Sequence, residues 1–315
     1  MRDLRIVFMG TPDFAVTILH EILEAGYKVA GVITSPDKPA GRGRKLHESA
    51  VKAYAVSRGL KVLQPTNLKS PEFLEDLRAL EPNVQVVVAF RMLPKAVWDL
   101  PEYGTFNLHA SLLPQYRGAA PINWAIINGE ENTGVSTFFL DEKIDTGAMI
   151  RQESVKIEKE ETAGSLHDKL MHKGANLVLE TLNLIKNNKA VPRKQQESQE
   201  LKEAPKLTRE NTKINWNVPM AEILNLIRGL NPYPGSWTHL KNGEDIMQVK
   251  IYEVDKLEQS HEHETGVLLV ENKELKVAVK NGFIKLLEIQ MPGKRKMKTG
   301  DLLNGYQFES NAKVV

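Results

Sequence analysis

Asn107 and His109 stand two residues apart in the strand-like run Thr105-Phe106-Asn107-Leu108-His109, so an amide and an imidazole leave the same face of the pleat. Such a pair is a donor set for an oxygen that becomes negative while a carbonyl-type carbon is attacked. Downstream, the loop Asp141-Glu142-Lys143-Ile144-Asp145-Thr146-Gly147 brings carboxylates back. Asp145 is expected to hydrogen-bond or ion-pair with His109, so that an imidazolium donates to the oxyanion while Asn107 adds a neutral donor. The chain has no cysteine and no persuasive serine-histidine-acid spacing, so a covalent acyl enzyme is not required and direct transfer to an external amine fits better. Taken alone, His109 reads as well as a packed or surface histidine. The other histidines do not suggest a metal centre. His167 and His172 have the wrong spacing to share a helix face, and His261-Glu262-His263-Glu264 lies in a polar, turn-like segment.

The elements that would position this pair follow from periodicity. Leu4 to Met9 reads as a buried strand, Gly10-Thr11-Pro12-Asp13 as a turn into a helix ending near Gly26, and Lys28 to Thr34 as the next strand. Gly10-Thr11-Pro12 lacks the glycine spacing of a dinucleotide fingerprint and reads as an ordinary tight turn. Alternation continues with a helix over His47 to Arg58, a strand over Lys61 to Leu63, a helix over Pro71 to Leu80 and an apolar strand over Val84 to Ala89. A short helix over Pro94 to Asp99 then precedes the Asn107/His109 strand, and Pro121 to Asn128 is helical. This is the pattern of an α/β, doubly wound, mostly parallel sheet, in which sites lie at the carboxyl ends of strands. Thr133 to Leu140 and Ala148 to Val155 add strands, and Thr162 is a plausible N-cap of a long helix to Asn188.

Periodicity fades between Lys189 and Leu207, where Gln195-Gln196-Glu197-Ser198-Gln199-Glu200 reads as a polar linker. The expected division is a catalytic domain over 1–189, a linker over 190–208 and a second domain over 209–315. In the second, a helix over Met220 to Leu230 is broken by Asn231-Pro232-Tyr233-Pro234-Gly235-Ser236-Trp237. Strands at Gln248 to Val254, Thr265 to Val270, Leu275 to Ala278 and Ile284 to Ile289 then suggest a small β-barrel.

Composition sets outer bounds. The length of 315 residues allows two domains, and no window is long and apolar enough for a membrane span or an export signal. The absence of cysteine fits a reducing compartment, so the cytoplasm is the expected location. A net charge of +2 does not by itself argue for nucleic acid, so local clusters matter more. The loop Ser35 to Leu46 carries Lys38, Arg42, Arg44 and Lys45 among glycines and prolines, and is expected to be a mobile surface loop. It reads either as a solvated linker or as a basic finger that orders on a phosphate-bearing partner. Lys294-Arg295-Lys296 with Lys298 is the densest positive run of the second domain, on spacing alone a solvated turn.

The run from Asn107 through His109-Ala110-Ser111-Leu112-Leu113-Pro114-Gln115-Tyr116-Arg117-Gly118 to Ile122, followed by Asp145-Thr146-Gly147, resembles the signature of formyltetrahydrofolate-dependent formyltransferases. Phe8-Met9-Gly10-Thr11-Pro12-Asp13-Phe14-Ala15 and the Pro36 to Leu46 loop bring the resemblance to members acting on aminoacylated tRNA, and it covers nearly the whole chain. It implies transfer of a formyl group from 10-formyltetrahydrofolate to the amino group of methionine on initiator tRNA. It implies a Rossmann-like amino-terminal domain and a carboxyl-terminal barrel of the oligonucleotide-binding type. By position in the motif, Asn107, His109 and Asp145 are the catalytic trio, and Ser111, Leu112, Leu113 and Pro114 line the folate side. Arg42, Arg44 and Lys45, with Lys294, Arg295, Lys296 and Lys298, become tRNA-contact candidates. Folate acts as a carrier, so no metal is expected, and a monomer is expected. Ala89-Phe90-Arg91-Met92-Leu93-Pro94 departs from many members, which have a tyrosine-glycine pair and one more residue before the proline; pterin contacts carried over there are in doubt. Rival readings are a sugar-nucleotide formyltransferase, a hydrolase releasing formate from the same donor, and a non-catalytic RNA-binding protein. The basic loop and second domain argue against the first two, and the intact trio against the third.

Overall fold

The protein, described here by a computed structural model over residues 1–40, 45–196 and 200–315, divides into two compact units. One comprises 1–118, 133–156 and 167–203; the other comprises 119–132, 157–166 and 204–315.

The first unit is built on a seven-stranded sheet whose order from one edge is Met149–Lys156, Asn132–Phe139, Thr105–His109, Val84–Val88, Arg5–Gly10, Lys28–Ile33 and Val62–Leu63. The last five run parallel, and Asn132–Phe139 pairs antiparallel with Thr105–His109. Strands buried on both faces need apolar side chains throughout, which is what Val84–Val88 supplies apart from Gln85. Phe8, Phe106 and Phe138 are fully buried. The helices Asp13–Glu24, Ala50–Ser57 and Pro71–Ala79 connect the parallel strands, so this part of the fold is the doubly wound α/β sheet that the alternation predicts.

Two local differences from the expected elements stand out. The helix expected from His47 starts at Ala50, because the Ser49 hydroxyl accepts the Lys52 N–H at 3.0 Å and caps it there. The segment expected as a mobile loop contains two short antiparallel strands, Lys38–Ala40 and Lys45–His47. Thr162 caps the long helix as expected: its hydroxyl accepts the Ser165 N–H at 3.2 Å, and the Ser165 hydroxyl accepts the Thr162 N–H at 3.0 Å.

The second unit is an antiparallel sheet that nearly closes on itself. Its order is Leu268–Glu271, Glu274–Val279, Gly282–Gln290, Asp245–Leu257, Ser236–Asn242 and Lys313–Val314. The Leu268 N–H donates to the Ala312 carbonyl at 3.0 Å and the Val314 N–H to the Gly266 carbonyl at 2.9 Å, which brings the two edges together. Val249, Ile251, Val277 and Ile284 fill the interior. The helix Met220–Leu230 lies against Pro121–Ile127 at Gly229, where a side chain would collide with Ile127, and the Asn123 amide donates to the Gly229 carbonyl at 2.8 Å. The strand Ser236–Asn242 was not expected, since Pro232, Pro234 and Gly235 just before it read as a break. Among the described residues no helix is long and apolar enough to cross a membrane.

Candidate active site

Thr105–His109 is an interior strand, with Asn107 facing Val87 on one neighbour and Phe138 on the other, and His109 facing Ser136. Phe106 and Leu108 are buried on the opposite face, which fixes the register and turns Asn107 and His109 together to the other side. His109 is the last residue of the strand, at the carboxyl end of the parallel run.

The imidazole is held at both nitrogens. Its Nε2 lies 2.8 Å from the Tyr116 carbonyl, and since a carbonyl only accepts, that nitrogen carries a hydrogen. Its Nδ1 lies 3.8 Å from Asp145 Oδ2, an ion-pair distance but too long for a hydrogen bond. The side chains of His109 and Asp145 are only 7% and 12% exposed, so a charge on either is poorly screened by water. Asp145 Oδ2 also accepts the Gly118 N–H at 3.0 Å. Asn107 Oδ1 is buried and has no partner among the described residues. An orphaned acceptor beside a paired imidazole and carboxylate is what a site leaves for a polar substrate group.

The loops at the strand end are tied down from below. Ser136 donates its hydroxyl to the Ser111 carbonyl at 2.6 Å and accepts the Leu113 N–H at 3.2 Å, while the Gln152 amide donates to the Leu113 carbonyl at 3.0 Å and the Ser136 hydroxyl at 2.9 Å. The Ser111 hydroxyl donates to the Gln115 carbonyl at 2.7 Å, so this side chain is used internally. Leu112 packs at Gly134, and Leu113 and Pro114 form a wall of a cleft of about 710 Å³. In the other loop, Asp141 Oδ1 accepts the Lys143 N–H at 3.0 Å and the Thr146 hydroxyl at 2.7 Å, an Asx-type turn that starts the approach to Asp145. Asp145 itself has φ of 54°, and a side chain at Gly147 would overlap the Phe139 carbonyl.

Gln195 completes the arrangement. It is 4% exposed, its amide donates at 2.9 Å to both the Asp145 and Gly147 carbonyls, and its oxygen accepts from Arg117 Nε at 3.2 Å and Nη2 at 2.6 Å. Sequence reading missed it, because it opens a run of polar residues whose composition is that of a solvated linker.

Arg42 and Arg44 fall outside the described residues, and of Lys45 only the backbone strand is described. Lys294 and Arg295 are exposed, Lys296 pairs with Glu288 at 2.8 Å, and Lys298 lies on a strand beside Glu288. At the departing stretch, Ala89 has φ of 46°, a conformation that favours glycine, and Arg91 donates to the carbonyls of Pro65 and Thr66. Among the described residues no group of three or more acids and histidines is placed to hold a metal.

Comparison with known proteins supplies the context for this geometry. The formyl transferase model matches residues 4–182, and the formyl transferase C-terminal domain model matches residues 206–307. The methionyl-tRNA formyltransferase of Flavobacterium johnsoniae is 56% identical over 314 residues, covering 100% of both chains. That of Bacteroides thetaiotaomicron is 49% identical, covering 99% of this chain and 98% of the other. Among solved structures, HypX from Aquifex aeolicus in complex with tetrahydrofolic acid superposes with a TM-score of 0.66 at 17% identity, over 96% of this chain and 47% of that one. An N-formyltransferase from Helicobacter canadensis, in complex with folinic acid and dTDP-3-aminofucose, gives 0.64 at 21% identity, over 90% of this chain and 98% of that one. At those identities the structures speak to the fold, while the family models and full-length relatives speak to descent: the chain belongs to the formyl transferase family.

Proposed function

We propose that the chain transfers the formyl group of 10-formyltetrahydrofolate to the free amino group of methionyl initiator tRNA, in the cytoplasm and as a monomer. The names of its full-length relatives support the acceptor. The observation that carries the chemistry is the buried Asn107 Oδ1, which has no partner among the described residues, beside a His109 that faces Asp145.

In this reading Asn107, His109 and Asp145 are catalytic. Asn107 orients the reactants through its amide: the oxygen accepts a hydrogen of the attacking amine and the NH2 donates to the formyl oxygen. As the amine nitrogen bonds to the formyl carbon, His109 as imidazolium donates to the oxygen becoming negative. Since its Nε2 hydrogen is engaged by Tyr116, the Nδ1 side, facing Asp145 across 3.8 Å, is the one open to the reaction. The carbon–nitrogen bond to the carrier then breaks, and the proton lost by the amine ends on the departing carrier nitrogen, with the Asp145 carboxylate facing the imidazole across 3.8 Å throughout.

Ser111, Leu112, Leu113 and Pro114 border the donor: Ser111 and Leu113 by fixing the loop, Pro114 as its surface. Arg42, Arg44, Lys45, Lys294, Arg295, Lys296 and Lys298 contact tRNA phosphates. Residues 1–189 serve as the catalytic domain, 190–208 as the linker and 209–315 as the tRNA-binding β-barrel. Incubation with charged initiator tRNA and 10-formyltetrahydrofolate should yield N-formylmethionyl-tRNA. Formate release without acceptor, or formylation only of an amino-sugar nucleotide, would overturn it.

A further inference from the structure

Beyond Leu113, Pro114, Gln152 and Gln195, the cleft of about 710 Å³ is lined by residues to which no role has been given above. Its rim is basic: Arg151, Lys189, Arg193 and Lys194 all line it, and all are exposed. Arg151 is paired with Glu180 at 2.6 Å, whereas the side chains of Lys189, Arg193 and Lys194 have no acidic partner among the described residues. Its floor is apolar, with Met149 and Leu184, and Val191 stands at the rim 70% exposed.

The positions of these cations are set by the backbone rather than by chance collapse. Residue 193 pairs with residue 149 at the sheet edge, Arg193 N–H to the Met149 carbonyl and Met149 N–H to the Arg193 carbonyl, both at 2.8 Å. Two residues on, Gln195 lines the same cleft and reaches the Asp145 and Gly147 carbonyls. A row of cations without an acidic partner among the described residues therefore leads along one segment to the loop that carries Asp145.

We propose that this cleft takes backbone phosphates near the acceptor end of the RNA substrate. The inference rests on the tRNA reading given above and adds a contact site to it. A repeated polyanion is met by a row of exposed cations that can each follow a phosphate, with nearby apolar surface to receive a sugar or base face. The competing anion is the carboxylate-bearing tail of the folate donor, which the test separates.

The test uses the full chain carrying Lys189→Ala, Arg193→Ala and Lys194→Ala together, with a charge-keeping control of Lys189→Arg, Arg193→Lys and Lys194→Arg. For the alanine variant, kcat/KM for methionyl initiator tRNA should fall about tenfold or more at 0.1 M salt, and the slope of its logarithm against log salt should flatten by about two. The control should stay within about threefold of wild type, because the contact is to charge rather than to shape. KM for 10-formyltetrahydrofolate should be unchanged with mono- and penta-γ-glutamyl donor alike. Unchanged tRNA kinetics overturn the proposal, as does a donor KM that rises with glutamate number, which would assign the cleft to the donor tail. A control variant as impaired as the alanine variant overturns it too, by making the loss structural. If wild type formylates the tRNA and the alanine variant is unaffected, only the cleft assignment falls; if wild type leaves the tRNA unformylated, both fall.

Discussion

Asp145 carries two duties with one oxygen, accepting the Gly118 N–H and facing the His109 imidazole. Asp145→Asn keeps the size and the acceptor oxygen but removes the charge, so the fold should persist while turnover falls by about a hundredfold or more. Single-turnover formylation measured beside an unchanged melting transition checks this, and a near-normal rate would sink the mechanism. Gln195 acts at one remove. Gln195→Leu leaves the Asp145 and Gly147 carbonyls and the Arg117 guanidinium without their buried partner, at a cost of about 1–3 kcal/mol. As a positioning residue it should lower kcat more than it raises donor KM, and its effect should be small when combined with Asp145→Asn, which a double-mutant cycle reads. At this scale the sequence is legible where geometry is local. Asn107 and His109 share a face because the pleat repeats every two residues. Asp145 needs a loop to bring it back, and Gln195 needs a segment whose polar composition conceals a buried amide; neither distance along the chain carries that information.

The elements show why some boundaries can be read and others cannot. A capping hydroxyl sets a helix start within one residue, as Ser70 does for Pro71–Ala79 and Thr162 for the long helix, whereas Ser49 was passed over and its helix read from His47. Gly147 illustrates a constraint invisible in sequence: the Phe139 carbonyl occupies the place of a side chain. Gly147→Ala should therefore displace the Asp145 loop, destabilise the fold by about 2 kcal/mol or more and reduce turnover with it, measured by denaturant unfolding and initial rates. The hairpin Lys38–Ala40 with Lys45–His47 is anchored at its base by Asp37, which bonds to Lys52 at 2.5 Å and to Gln64 at 2.7 Å. The Lys52 hydrogen bond, then that of Gln64, hold the Asp37 carboxyl below its usual range. A lowered carboxyl stabilises above its unfolded value and loses that contribution as pH falls through the folded one. Amide protection of the hairpin should thus be higher in wild type than in Asp37→Asn at neutral pH, and the difference should vanish in acid; a constant difference would discount the anchor. Arg42→Ala should weaken use of initiator tRNA and spare donor binding.

For the molecule as a whole, the alternation of strands and helices made the α/β sheet legible, and the later run of short strands made the barrel legible, because each architecture imposes its own period on the sequence. The compact units interleave along the chain, however, since Pro121–Ile127 packs on Met220–Leu230 within the second unit, and a composition shift can mark only a single cut. The second unit's part in substrate recognition is then an electrostatic question. Lys294 and Arg295 project from a turn whose backbone is fixed by the Lys294 N–H to the Met291 carbonyl at 3.1 Å and by φ of 68° at Gly293. Lys296 is partly spent on Glu288, so it should matter less than its neighbours. If these side chains meet phosphates, Lys294→Ala and Arg295→Ala should each flatten the dependence of log kcat/KM on log salt by about 0.7–0.9, additively, with the barrel's unfolding midpoint unchanged. Lys296→Ala should change the slope by less than either. Salt slopes that stay at the wild-type value in the Lys294/Arg295 double variant would remove this turn from the RNA interface and leave the tRNA contacts to the first unit alone.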